Sequence, residues 1–194
     1  MLSASDIARG TQGAVRFLQR DPGAPLYFEN TIEGCLRSFR VMALAAPIYG
    51  LYLALYYSRI ETTADTFEIV AIEAMHFVVD WLLFPVLFYE IARRRQWLAN
   101  YPRYIAALNW INLPVLVLAV IGLAVTLVAP RPVGQVVQIG LQFLFYYWFL
   151  MTTRLTLGIG WPLSVVLLVV NWMPSLLLSL IVDRLLGVVP MPGS

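Results

Sequence analysis

The chain of 194 residues is 60% hydrophobic and 12% charged, with a formal net charge of +2 and a mean hydropathy of +0.77. A soluble domain carries about a quarter charged residues, so this composition excludes an ordinary soluble enzyme and reads as a polytopic membrane protein. The small net charge gives no basis for a nucleic-acid partner.

All 13 basic residues are arginine, which points to a GC-rich, bacterial genome. Cys35 is the single cysteine, so an internal disulfide and a cysteine-based metal cage are both excluded. Met1 to Asp21 has no continuous apolar core and no small-residue cleavage site, so the first apolar span is expected to serve as the targeting signal.

Ser5 to Arg20 is amphipathic, setting Ile7, Val15, Phe17 and Leu18 among Arg9, Arg16 and Arg20. It reads either as a solvated arm or as an interfacial helix bound to anionic lipid. Asp21-Pro22-Gly23-Ala24-Pro25 breaks the chain. Asn30 followed by Glu33 predicts a capping-box start, from which a helix runs through Cys35, Leu36 and Phe39 into the first span.

That span, Val41–Tyr57, is nearly free of polar groups but carries Tyr49, Tyr52, Tyr56 and Tyr57 toward its far end. An acidic connection with Glu61, Asp65 and Glu68 leads to the second span, Ile69–Ile91, which Arg93, Arg94 and Arg95 close. The third is Tyr104–Val128, with Asn109, Asn112 and Pro114 near its start. The fourth, Val133–Met151, is rich in aromatic residues from Phe143 to Phe149. The fifth is Trp161–Leu186.

The expected organisation is thus all-α. A cytoplasmic or interfacial arm (1–40) precedes a five-helix transmembrane domain (41–186) and a short tail (187–194). Arginine sets the orientation. With the N-terminus inside, ten arginines are cytoplasmic and only Arg59, Arg131 and Arg184 lie outside. The expectation is a bacterial inner membrane protein with a cytoplasmic N-terminus and a periplasmic C-terminus.

Polar residues inside these spans are the candidate functional groups. Glu73, His76 and Asp80 follow i, i+3, i+7 spacing and share one helical face. A charge at the bilayer centre costs roughly 2.5 to 3.5 kcal/mol on insertion scales and tends to mark function. Structural pairing, with Asp80 protonated or bonded to His76, stands beside proton or cation handling. Glu-x2-His-x3-Asp would offer three metal ligands, but with a single histidine in the chain no metal and no cofactor is expected.

Gln135, Gln138 and Gln142 repeat the same spacing on the fourth span, while Asn171 marks the fifth and Asn109 and Asn112 the third. Interhelical hydrogen bonding, worth about 0.6 kcal/mol each on average, accounts for these amides. The stripes are expected to converge on one polar interior, leaving the first span facing lipid. No nucleophile with a partner base and no phosphate-binding loop can be read, so the chain is not expected to be an enzyme.

The arrangement of an amphipathic arm, five closely spaced spans and an arginine-rich turn after the second resembles the bacterial branch of the Yip-type five-span membrane proteins. Phe28-Glu29-Asn30-x-x-Glu33-Gly34, the pair Asn109-Trp110 and the run from Trp148 through Phe149 to Arg154 also resemble segments of alphaproteobacterial membrane proteins. The Asp-Leu-Tyr-Gly-Pro signature of the eukaryotic Yip branch is missing, so the resemblance implies a fold, not a trafficking role or a catalytic residue.

The first functional expectation is a non-enzymatic accessory, scaffold or assembly component of a membrane complex. Tyr147 and Trp148 would be its partner surface, and another membrane protein or a second copy its partner in the bilayer. The second is a small proton- or cation-coupled transporter using Asp80 and His76.

Overall fold

The computed structural model describes residues 2–189 and is all-helical apart from turns and a single bridge between Glu61 and Val189. Its helices are α1 (Ala4–Leu18), α2 (Ile32–Ser38), α3 (Val41–Tyr57), α4 (Thr66–Arg94), α5 (Tyr101–Val128), α6 (Arg131–Leu157) and α7 (Trp161–Leu185). Five segments are long and apolar enough to cross a bilayer: residues 32–57, 66–94, 98–128, 131–157 and 161–185. Part of the expected tail, Pro190 to Ser194, lies outside the described residues.

Local chemistry sets the helix ends. Ser3 and Asp6 form a capping box at α1, and Asp65 and Glu68 form another at α4, each satisfying backbone donors that the first turn leaves free. Arg93 and Arg94 close α4 on the favourable side of its dipole and both pair with Glu90. Pro102, Pro132 and Pro162 stand in the first turns of α5, α6 and α7, where a missing N–H costs nothing. α6 ends at Gly158, whose φ of 66° is the left-handed cap that glycine adopts freely.

The predicted cap at Asn30 falls elsewhere. Thr31 caps α2, accepting from the Gly34 N–H at 3.0 Å. Asn30 instead joins segments distant in sequence: its amide donates to the Ala99 carbonyl at 2.7 Å, and its oxygen accepts the Arg103 N–H at 3.2 Å. Between α2 and α3, Phe39 and Arg40 stay helical in φ and ψ. The two helices therefore form one nearly continuous crossing, as the sequence suggests.

α1 is not a free arm but docks on the rest of the bundle. Gly10, Gly13, Ala14 and Phe17 are buried where α1 lies across α5 and α6. The Trp110 ring sits directly against the Gly10 backbone, where any Cβ would collide with it. Trp148 donates its indole N–H to the Ala14 carbonyl at 2.8 Å, and Phe17 stacks on Phe28 at 5.8 Å.

A second layer of charge holds the same corner. Glu29 bridges Arg9 and Arg37, and Arg16 pairs with Asp21. The Arg16 hydrogen bond, helped by the Gly23 N–H, holds the Asp21 carboxyl below its usual range. At about 1.5 Å per residue, α5 and α6 exceed a hydrocarbon core of about 30 Å by several residues each. Their surplus is the end on which α1 docks.

At the opposite end, Thr62 donates through its hydroxyl to the Leu186 carbonyl, and the Val189 N–H donates to the Glu61 carbonyl at 3.0 Å. The α3–α4 connection and the end of α7 thus share one end of the bundle, as alternate crossing requires. α5 and α6 pack most closely there, with Gly122 against Leu141 and Gly134 against the Thr126 backbone.

Because Gly10 has no room for a side chain, Gly10→Val is expected to displace Trp110 and cost about 1–3 kcal/mol, the usual cost of overpacking. A lower melting temperature of the purified protein, with faster proteolysis between α1 and α2, is the expected readout.

Candidate intramembrane cation site

Glu73 is the most buried acidic group of the spans, with 4% of its surface exposed, and three polar side chains surround it. Tyr49 donates to Oε2 at 2.7 Å, Tyr57 donates to Oε1 at 2.7 Å, and His76 Nδ1 stands 3.0 Å from Oε2. His76 Nδ1 also lies 3.4 Å from the Tyr49 hydroxyl. His76 is one turn beyond Glu73 on α4, and both tyrosines come from α3. A buried carboxylate is tolerable only when its lone pairs are satisfied, and here both oxygens are.

α3 is therefore not the outlier facing lipid that its composition suggests. It runs along α5 and supplies two of the three polar side chains around Glu73. The sequence carried a usable signal. Four tyrosines, Tyr49, Tyr52, Tyr56 and Tyr57, lie in the same half of the bundle as Glu73, and the rotation of α3 turns Tyr49 and Tyr57 of these to the carboxylate.

Asp80, two turns further along the same face, is treated differently. The expected His76–Asp80 pairing does not form, because Glu73 holds the imidazole. Asp80 Oδ1 is shielded from solvent and has no hydrogen-bond partner among the described residues. The side chain lines a cavity of about 310 Å³ between α4, α5 and α7, to which α3 and α6 also contribute.

Of the other expected residues, His76, Asn109, Asn112 and Asn171 line this cavity, joined by Ser175 and Ser179 of α7. Asn109 has a structural task as well. Its oxygen accepts the Trp81 indole N–H at 2.8 Å, and its amide donates to the Ser38 hydroxyl at 2.8 Å. Ser38 in turn donates to the Cys35 carbonyl at 2.6 Å. That chain couples α2, α4 and α5 through groups whose bonding capacity is used.

Gln135, Gln138 and Gln142 do not join them. Gln135 and Gln142 are exposed and Gln138 is half-buried, and none lines the cavity. The close α5–α6 contact explains this. Gly134 and Leu141 face α5, and each exposed glutamine is the next residue in sequence, about 100° further round the helix.

The aromatic partner surface is likewise corrected. Trp148 is 2% exposed and covered by α1, and Tyr147 is half-buried beneath Arg20, whose Nε donates to its hydroxyl at 2.6 Å. Phe149 of the same run points inward to the cavity and meets Phe84 edge-on at 5.6 Å. Arg154 ends the run with its guanidinium 4.0 Å from the centre of the Trp161 ring. No grouping of three His, Cys, Asp or Glu side chains suited to a metal occurs among the described residues.

No family model matches the chain, and no curated protein or solved structure matches it either.

The two carboxylates should respond to substitution in opposite ways. Tyr57→Phe leaves a Glu73 oxygen unpaired, and a loss of about 1–3 kcal/mol is expected. Asp80→Asn breaks no hydrogen bond and should leave the melting temperature unchanged or raised. Thermal unfolding of the two variants in one detergent checks both.

Proposed function

We propose that this chain is a small multi-pass membrane protein that takes a cation or proton into an intramembrane cavity at Asp80 and passes it across the bilayer. The observation that carries the reading is an acidic side chain at mid-span, lining a cavity of mixed polar and apolar walls, with one shielded oxygen unpartnered while both oxygens of Glu73 are paired. Asp80 is the central residue of α4, about 21 Å from either end at 1.5 Å per residue. Intramembrane ionisable residues that face a cavity mark ion pathways and proton relays.

Broken or weakened helices at mid-depth are a transporter trait, and two prolines lie close by. Pro85 stands inside α4 and lines the cavity, and Pro174 stands inside α7 beside Asn171 and Ser175. Each lacks the N–H that would close a helical bond, leaving a main-chain carbonyl one turn back without its usual donor. The ten-to-three arginine distribution supports an inner-membrane protein with its N-terminus in the cytoplasm.

The test is proton or monovalent-cation flux in vesicles holding the purified protein, followed with an entrapped pH-sensitive dye. Asp80→Asn is expected to lower the flux at least tenfold at unchanged thermal stability. Equal flux through wild type and Asp80→Asn would overturn the reading.

Assembly is supported by a separate observation, on a face other than the one the sequence suggested. Gln142 lies near the middle of α6 and is exposed, beside Gly140, which has open space where a side chain would stand. A carboxamide both donates and accepts, so two copies of this face would satisfy one another where lipid offers neither partner. On this second reading the chain works as an oligomer, and Gln142→Leu shifts the gently extracted complex toward lower mass. An unchanged mass would remove the support.

A further inference from the structure

We infer that the Asp80 cavity is a binding site for a small organic ammonium ion, a charge carried on an alkyl body rather than a bare proton or metal cation. The inference rests on the reading of the cavity as a cation site and adds the chemical class of its occupant.

Size is the first argument. A volume of about 310 Å³ stands at the lower end of small-molecule sites, about 300–1,000 Å³. A proton relay needs no such space. A hard metal cation needs six or more oxygens drawn in close, whereas the lining offers a single carboxylate beside scattered amides and hydroxyls.

The walls are the second argument. Besides Asp80, the cavity is lined by Tyr49, Phe77, Trp81, Phe84 and Phe149. Ring faces attract cations within about 6 Å of their centres, tryptophan most strongly, and more so away from water. An alkylammonium uses both parts of such a lining, its charge against the carboxylate and its carbons against the rings. A hydrated inorganic ion would leave the rings unused.

These rings are held in place before any ligand arrives. Phe77 stacks on Tyr49 at 4.9 Å and meets Trp81 edge-on at 5.4 Å. Asn109 fixes the Trp81 indole through its N–H, and Phe84 and Phe149 brace one another across the other wall. Restraint of this kind lowers the ordering cost of binding. Tyr49 and His76, the other ionisable groups of the lining, both turn to Glu73, through the hydroxyl and through Nδ1, so Asp80 is the carboxylate left to meet the ligand charge.

The probes are choline and its neutral isostere 3,3-dimethylbutan-1-ol, applied to the full chain in detergent by equilibrium dialysis and thermal shift. Choline is expected to bind and raise the melting temperature, the isostere at least tenfold more weakly. Asp80→Asn should abolish choline binding. Phe149→Leu, which keeps bulk but removes a ring, should weaken it about fivefold.

Equal binding of the two probes, or full choline binding to Asp80→Asn, would overturn the inference. If neither choline nor tetramethylammonium binds while vesicle flux still depends on Asp80, the organic ligand is wrong and the cation reading stands. If flux is indifferent to Asp80, the cation reading itself fails.

Discussion

A carboxylate placed in hydrocarbon must find its partners within the protein, and the way Glu73 meets that demand shapes the rest of this bundle. Water is not at hand to solvate it, and an unpaired ion there is too costly to persist. The two α3 tyrosines and His76 take up both oxygens, which ties α3, packed on α5, to α4 through side chains at one depth. His76 turns Nδ1 to Glu73, and no hydrogen bond from α4 reaches Asp80 Oδ1.

The arginine-rich end answers the same demand with different groups. Trp110 and Trp148 are large amphipathic side chains in the halves of α5 and α6 nearer the arginine-rich end. α1 covers both, offering a glycine to the first and a main-chain carbonyl to the second. The Phe28–Gly34 segment completes the corner. Phe28 stacks on α1, Glu29 gathers two arginines, and Asn30 ties the loop before α5.

The five crossings were legible because apolar length is a local property of the chain. The helix caps were not, since the box expected at Asn30 falls at Thr31 and those at Ser3 and Asp65 were not read. Which side of each helix faces inward was legible only in part. Period placed Glu73, His76 and Asp80 on one face, and that face does turn inward. The equally regular glutamine stripe does not, because Gly134 and Leu141 fix the rotation of α6 against α5 and carry Gln135 and Gln142 about 100° away. Partner choice was not legible. His76 is three residues from Glu73 and four from Asp80, both within reach on a helix, and only the tyrosines of α3 decide between them. Trp148 read as a partner surface because an aromatic side chain on a span looks the same whether another protein or the chain's own first helix covers it.

The contrast between the two carboxylates bears most directly on function. An acidic residue kept for interhelical adhesion would be expected to look like Glu73, with every lone pair met. An asparagine at position 80 would fill similar space, bond as readily, and avoid placing an ionisable group at mid-depth. Nothing in the packing calls for an acid there, since Asp80 joins no helix to another by a hydrogen bond through Oδ1. What surrounds it is a preformed set of aromatic side chains and polar groups, ordered by contacts made elsewhere: Asn109 with Trp81, Phe77 with Tyr49, and Phe84 with Phe149. A site that is rigid in its walls and unsatisfied at its centre has stability withheld at one atom. On the proposed reading, a cation entering the cavity would supply what that atom lacks, and the free energy of meeting it would go to binding instead of to folding.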